Sequence, residues 1–249
     1  MTVPAEPLPF DADIASAAAL IADSTRAAIL RALLPDRPLA AGELARLAGV
    51  SAATASFHLA KLLDGGMITV VRQGRHRYYR LAGHEVAAAL EALGLISPGL
   101  PVRSLRQSRE AAALDEARTC YDHLAGKAGV ELLDGMLRRG LLEEKSGRTD
   151  RGDTSSLRFE VTGAGTKELG SFGLNLLQLR RSRRHFAGTC IDWTQRRRHL
   201  NGALAAAITS RLFELGWIER GSPGQRRRSV RVTPAGVEGL ASRFGVDLP

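Results

Sequence analysis

The chain has 249 residues, of which 44% are hydrophobic, so it can bury one large core or two ordinary ones. No apolar run approaches the roughly 20 residues of a membrane span, and no leader pattern opens the chain, so we expect a cytoplasmic protein without a membrane partner. Its two cysteines are too few for a disulfide framework and predict free thiols. The formal net charge of +9 indicates an anionic partner or a well-solvated basic surface.

The first hundred residues are predicted to form a winged helix-turn-helix. The stretch "DIASAAALIADSTRAAILRALL" gives two helices by its apolar spacing, with Ser24 as the cap of the second. A short helix at 42–48, a tight turn and a longer helix at 51–63 follow. The β-rich stretch "MITVVRQGRHRYYRL" then predicts a hairpin that turns at Gln73-Gly74. A helix-turn-helix followed by a basic hairpin places its second helix in the DNA major groove and its wing along the backbone.

Three segments of this region resemble the ArsR-type (arsenic-repressor-like) family of bacterial transcriptional regulators. They are "STRAAILRAL", "VSAATASFHLAKLLDGGMI" and "VRQGRHRYYRL", in that order and spacing, and the resemblance covers about residues 13–95. It implies double-stranded DNA as a partner. It also implies a homodimer in which the first helix and the helix after the wing, "GHEVAAALEALG", pack against the second subunit.

The resemblance implies a set of DNA-contacting residues by their positions in the motif. Short hydroxyls allow a close approach to DNA, while lysine and arginine neutralise phosphates. Arg75 and Arg77 alternate along a strand and therefore share one face, whereas His58 could equally pack within the helix. The predicted set comprises Ser51, Thr54, Ser56, His58 and Lys61 in the DNA-reading helix and Arg72, Arg75, His76 and Arg77 in the wing.

The chain departs from the metal sensors of that family. Those proteins carry either a cysteine-rich signature on the helix before the DNA-reading one or paired Asp and His ligands on the helix after the wing. Here the first of these helices reads "AGELARLAG", without cysteine, and the second offers only His84, Glu85 and Glu91. Neither of the family's usual metal sites can be built.

The second half of the chain contains an internal repeat. Prolines and glycine at 96–104 mark a boundary, which predicts a DNA-binding and dimerisation domain at 1–97 and a sensing domain at 104–249. Beyond it, "HLAGKAGVELLDGMLRRGLLE" aligns without a gap on "HLNGALAAAITSRLFELGWIE". We therefore predict two degenerate winged-helix-like units at about 115–171 and 194–244. The predicted fold class is mainly α with small β-hairpins (α+β).

The stretch "RTCYDHLAG" is the candidate for chemistry in the second half. On a helix, Cys120 and His123 would share a face and could supply two ligands to a soft metal ion, with Cys190 as a third. The alternatives are a thiol switch, a small-molecule effector and plain packing. In the gapless alignment His123 recurs as His199, which favours a scaffold role, whereas Cys120 stands opposite Arg196. The candidate sensing residues are Cys120, Tyr121, Asp122, Cys190, Asp192 and Trp193.

Two arginine clusters in the second half are interpreted either as solvated surface or as contacts to flanking DNA or to an anionic effector. The first comprises Arg180, Arg181, Arg183 and Arg184 with Arg196 to Arg198, and the second comprises Arg226 to Arg228 with Arg231.

We therefore expect a sequence-specific DNA-binding regulator, a homodimeric repressor whose operator affinity responds to an effector or to thiol chemistry in the C-terminal domain. The effector would be a soft metal ion, a small molecule or an oxidant. One alternative is an architectural DNA-binding protein without an effector. Another is an enzyme with Cys120 as nucleophile and His123 as base, but no third orienting group is identifiable, so we expect no catalysis.

Overall fold

The structure is a computed structural model that describes residues 12–74, 76–145, 157–221 and 228–248. The chain divides into two compact units, Met1–Val86 and Ala87–Pro249, which are described separately. Within the described residues, no helix is both long and apolar enough to cross a membrane.

The first unit is a winged helix-turn-helix. Its three strands form an antiparallel sheet in the order β1-β3-β2, in which β2 and β3 are the wing. The helices are α1 (Ile14–Ala22), α2 (Ser24–Leu33), α3 (Ala41–Ala48) and α4 (Ala52–Asp64), and the strands are β1 (Leu39–Ala40), β2 (Ile68–Gln73) and β3 (His76–Leu81).

Local capping explains where these helices begin. Ser51 accepts a hydrogen bond from the Thr54 amide at 3.1 Å and caps α4. The predicted cap of α2 was wrong by one residue, because the Asp23 carboxylate accepts from the Arg26 amide at 2.9 Å and Ser24 is the first helical residue. Gly49 has a φ of 69°, a left-handed conformation that glycine adopts without strain, and it ends α3 ahead of the turn.

The second unit contains most of helix α5 (His84–Ile96), then α6 (Leu105–Glu116) and two copies of one supersecondary unit. This division falls before the predicted boundary at 96–104, since α5 pairs with the second unit through an ion pair between Glu91 and Arg228. The first copy comprises β4 (Arg118–Cys120), β5 (His123–Ala125), α7 (Lys127–Arg138), β6 (Leu142–Glu144), β7 (Phe159–Val161) and α8 (Gly163–Ser171). After α9 (Leu176–Arg180), the second copy comprises β8 (Gly188–Ile191), β9 (Arg198–Asn201), α10 (Ala203–Glu214), β10 (Ile218–Arg220), β11 (Val230–Val232) and α11 (Pro234–Phe244).

Each copy is thus a hairpin, a helix, a second hairpin and a second helix. This confirms the predicted α+β class with small hairpins. The aligned segments that start at His123 and His199 are not helical throughout, because residues 123–125 pair as a strand and α7 begins only at Lys127. For the same reason the second copy begins at Gly188 rather than near residue 194.

The two copies interlock around one hydrophobic core. Helix α7 packs on β9 of the other copy, and α10 packs on β5. The backbone joins them as well, since the Thr119 amide donates to the Arg228 carbonyl at 2.9 Å and the Phe159 amide donates to the Ala187 carbonyl at 3.1 Å. The core takes side chains from both copies, among them Leu132, Leu133, Met136, Leu204, Ile208 and Phe244. The leading hairpins of the two copies therefore meet at the centre of the second unit.

Candidate DNA-reading face and candidate metal centre

Helix α4 has one buried and one exposed face. Ala55, Leu59 and Leu62 recur at helical spacing and are buried in the first unit. Thr54 and Lys61 lie on the opposite, exposed side. The anchored face therefore fixes which side chains of α4 are available to a groove.

Phe57, which is 57% exposed, lies on this same face and was missed in the sequence analysis. The Lys61 ammonium lies 4.6 Å from the centre of its ring, a cation–π distance. The sequence contains the information to place Phe57 on this face, since Phe57 is three residues after Thr54 and four before Lys61 and such positions are neighbours on a helix. An exposed apolar ring on this face can contact a thymine methyl group.

The structure favours the packing alternative for His58. His58 is only 9% exposed, and its Nδ1 lies 3.5 Å from Oδ1 of Asp23, the residue that caps α2. His58 is therefore removed from the DNA-contacting set. Ser51 and Ser56 are both exposed, and the Ser56 hydroxyl donates to the Ala52 carbonyl at 2.9 Å.

The wing presents basic side chains from both of its strands. Arg72 and Arg77 are directly opposite each other in the β2–β3 register, and both are exposed. Like charges in this position repel each other, so an anion between them would be stabilising. His76 is exposed and opposes Gln73, while Arg75 lies outside the described residues.

In the second unit, the stretch "RTCYDHLAG" forms the hairpin β4–β5. Cys120 and His123 are cross-strand partners, and so are Cys190 and His199 in the hairpin β8–β9. The helical i, i+3 relation expected for Cys120 and His123 was wrong, because Tyr121 adopts a φ of 59° and reverses the chain. Each copy therefore contributes one cysteine and one histidine through the same pairing.

The two hairpins bring these four side chains together as a cluster, which we call the Cys/His cluster. One ligand atom from each of Cys120, His123, Cys190 and His199 lies within 4.8 Å of all the others. Both imidazole rings are fully buried and stack with their centres 5.2 Å apart. Cys120 is buried and Cys190 is half-buried. Of the imidazole nitrogens, His123 Nε2 and both nitrogens of His199 lack a hydrogen-bond partner.

Polar groups surround the cluster and orient its members. Asp122 Oδ1 lies 3.3 Å from His123 Nδ1, and the Arg184 guanidinium holds that carboxylate. The Asn201 amide donates to Cys190 Sγ at 2.9 Å. On the opposite side, Asp192 Oδ2 lies 4.0 Å from His199 Nδ1.

The pKa values differ between the two histidines and between the two cysteines of the cluster. Burial lowers the pKa of His199 to about 3, which keeps its imidazole neutral. Burial also lowers the pKa of His123, but the Asp122 carboxylate and the Cys190 sulfur outweigh it and raise the value to about 9. The proximity of the two sulfurs lowers the pKa of Cys190 and raises the pKa of Cys120.

The remaining candidate sensing residues support the hairpins. Asp192 is fully buried and accepts from Arg118 Nη2 at 2.9 Å and from the Gly126 amide at 2.7 Å. The ring of Trp193 lies 4.7 Å from the guanidinium of Arg118. The Tyr121 ring lies 6.0 Å from the Arg184 guanidinium. The structure thus places Trp193 and Tyr121 beside different arginines.

Several arginines of the two clusters form ion pairs within the second unit. Arg197 pairs with Glu131 and Asp134, Arg228 with Glu91, and Arg231 with Glu219. Arg226 and Arg227 lie outside the described residues. For the paired arginines, the interpretation as free contacts to flanking DNA loses support.

The expectation that Cys120 does not recur was also wrong. Its counterpart in the pairing is Cys190, because "TCYDHLAG" corresponds to "TCIDWTQRRRHLNG" with a longer loop between the strands. Both copies contain the sequence elements Thr-Cys-x-Asp and His-Leu-x-Gly, and these shared elements indicate that Cys190 is the counterpart of Cys120. In chemical terms, the cluster has the donor atoms for a four-coordinate metal ion and the two thiols for a disulfide.

Comparisons with known proteins agree with the fold of the first unit. A family model described as a helix-turn-helix domain matches residues 21–71. The HTH-type transcriptional regulator YdfF of Bacillus subtilis (strain 168) is 42% identical over 236 residues, which are 95% of this chain and 99% of that protein.

Two solved structures are similar to a smaller part of the chain. Reduced HlyU from Vibrio cholerae N16961 is 29% identical, covers 34% of this chain and 90% of its own, and has a TM-score of 0.32. NolR from Sinorhizobium fredii is 29% identical, covers 35% of this chain and 86% of its own, and also has a TM-score of 0.32. The chain belongs to the family of helix-turn-helix transcriptional regulators that includes YdfF.

Proposed function

We propose that the protein is a homodimeric repressor that binds its operator through α4 and the wing, and whose operator affinity is modulated at the Cys/His cluster. The observation that carries operator binding is the exposed face of α4, where Thr54, Phe57 and Lys61 stand on a helix anchored by its buried side. The opposed Arg72 and Arg77 of the wing add phosphate-binding charge.

Exposed apolar surface supports the dimer. Helix α1 reads "IASAAALIA" and buries none of its residues, and Ile14 is 73% exposed. A predominantly apolar helix that leaves its side chains in water indicates a partner surface. The occupant we propose is α1 of a second copy, because identical apolar helices form self-complementary contacts about a twofold axis.

The Cys/His cluster supports modulation of DNA binding. Ligand binding or oxidation there would join or separate the two hairpins and so alter the packing of the second unit. An architectural protein without an effector would bind DNA with an affinity that no metal, oxidant or metabolite changes.

The test is binding of the full chain to its own upstream DNA, measured by fluorescence anisotropy across a salt series. Lys61→Ala should weaken binding and reduce the salt slope by about one, because one phosphate contact is lost. Lys167→Ala, which removes an exposed lysine from α8 in the second unit, is the matched control and should leave the slope unchanged. Failure of the wild type to bind any fragment of that region, or equal slopes for Lys61→Ala and the wild type, would refute the proposed DNA surface.

The same assay tests the effector. Repeating it with metal ions, oxidants and metabolite pools, in wild type and in Cys120→Ser, should show a change in affinity that depends on Cys120. An affinity that is identical under every condition would instead favour the architectural alternative.

A further inference from the structure

We propose that Cys120, His123, Cys190 and His199 form a tetrahedral site for a divalent cation of the zinc type, shared equally by the two copies of the repeat. The metal site itself stands on the geometry of the second unit. Its role as the effector site rests on the proposed function.

The unpartnered imidazole nitrogens carry the proposal. His123 Nε2 and both ring nitrogens of His199 have no hydrogen-bond partner although both side chains are fully buried, and one nitrogen of each ring lies within 4.8 Å of the other ligand atoms of the cluster. Each buried polar atom left without a partner costs about 1–3 kcal/mol, so plain packing does not account for a pair of stacked histidines at this position. A metal ion that accepts the lone pairs of these nitrogens removes that cost.

The distances fit a single small ion. Zinc–sulfur bonds of about 2.3 Å and zinc–nitrogen bonds of about 2.0–2.1 Å define a tetrahedron whose ligand atoms are about 3.3–3.8 Å apart. All four ligand atoms already lie within 4.8 Å of one another. The ligand atoms therefore need to approach one another by about 1 Å to reach zinc-bond distances.

The donor set and its charge select the ion. Two sulfur and two nitrogen ligands in a tetrahedral arrangement are typical of zinc. Two thiolates and two neutral imidazoles carry a charge of −2, which a divalent cation neutralises and a monovalent cation does not. Because an uncompensated charge is costly in a buried site, the divalent ion is favoured.

The groups around the cluster have the arrangement of a metal site's outer shell. The Asp122 carboxylate lies against His123 Nδ1, which directs Nε2 of the same ring toward the cluster. The Asn201 amide donates to the Cys190 sulfur, an interaction that stabilises a thiolate ligand. Asp122 and Arg184 have side-chain exposures of 18% and 34%, so this outer shell extends to the protein surface.

Cobalt(II) is the probe that reports coordination geometry directly. The reduced, metal-free full chain should bind one Co²⁺ per chain, with thiolate-to-cobalt charge-transfer bands and the intense visible absorption of tetrahedral cobalt. Zn²⁺ should displace Co²⁺, since the filled d-shell of Zn²⁺ loses no ligand-field energy in a tetrahedral site whereas Co²⁺ does when it leaves octahedral water. Neither measurement requires DNA, so failure of this site and failure of the proposed function are observed separately.

Variants assign the ligands. Cys190→Ser and His199→Gln should abolish the tetrahedral cobalt spectrum, whereas His76→Gln, which removes an exposed imidazole of the wing, should leave it unchanged. His199→Cys keeps four ligands and should retain tetrahedral cobalt with stronger charge-transfer bands from a third thiolate. This variant separates loss of a ligand from loss of fold.

Three results would overturn the proposal. The first is a reduced chain that binds neither Co²⁺ nor Zn²⁺ in stoichiometric amount. The second is a weak octahedral cobalt spectrum, and the third is a tetrahedral spectrum that survives in both Cys190→Ser and His199→Gln. Absence of metal binding together with a Cys120–Cys190 disulfide in the isolated protein would assign the pair to thiol redox chemistry instead.

Discussion

The buried carboxylate of Asp192 offers a quantitative test of what holds the second unit together. Its side chain and that of Arg118 are both fully buried and joined at 2.9 Å. Asp192 also accepts from the amides of Gly126, Thr194 and Gln195 at 2.7, 2.9 and 3.0 Å. Gly126 directly follows the first leading hairpin, and Thr194 and Gln195 lie in the loop of the second. The Asp192 side chain therefore connects the two copies of the repeat.

We expect Asp192→Ala to lower the free energy of unfolding of the second unit by about 3–5 kcal/mol, the usual cost of leaving one member of a buried ion pair without its partner. The matched control is Asp134→Ala. Asp134 pairs with Arg197, but the two side chains are 29% and 53% exposed, so solvent screens the pair. The control should cost no more than about 1 kcal/mol.

Tryptophan fluorescence during urea unfolding measures this effect in the correct unit. The chain has two tryptophans, Trp193 and Trp217, and both lie in the second unit. The measurement is made with chelator and reductant, so that ligand binding at the Cys/His cluster does not contribute. Equal midpoints for Asp192→Ala and Asp134→Ala would refute the reasoning. Adding Arg118→Met to Asp192→Ala should recover part of the loss, since it removes the uncompensated charge.

Two further predictions concern packing and assembly. Gly129→Ala should destabilise the second unit by about 1–3 kcal/mol, because a Cβ there would lie 2.5 Å from the Leu124 carbonyl oxygen. The control is Gly163→Ala, whose added Cβ meets nothing within 4 Å. This control should leave the midpoint of urea unfolding unchanged or slightly raised. Ile14→Asp should convert the proposed dimer to a monomer in sedimentation equilibrium without lowering helix content, and equal masses for the variant and a dimeric wild type would exclude α1 as the contact.

The first unit was predictable because its signals are local. Ser51 caps α4 through an amide only three residues away, and the wing hairpin forms from the two β-rich runs, although Gln73 is still paired in β2 and the turn begins at Gly74. His58 was the exception. Its burial depends on Asp23, which is distant in sequence, and no periodic pattern of α4 alone distinguishes a packed histidine from an exposed one.

The leading hairpins of the second unit could not be predicted in the same way. Strands β4 and β5 have three residues each, and their turn contains Tyr121 in a left-handed conformation instead of the glycine or asparagine that marks such turns. The stretch therefore resembled the first turn of the helix that follows it. What stabilises the short hairpin is the other copy of the repeat, through contacts such as that of the Leu124 amide with Thr209 Oγ1 at 2.9 Å.

The Cys/His cluster shows how duplication can create a site that neither copy contains. One hairpin supplies a cysteine and a histidine in cross-strand register, which is half of a tetrahedral set. Packing α7 on β9 and α10 on β5 then brings the second half opposite the first. A ligand that needs all four side chains binds only when the two copies are docked, so its binding free energy adds to the stability of that docking. A metal ion at the proposed site would therefore couple the association of the two copies to its own binding, which neither hairpin alone can do.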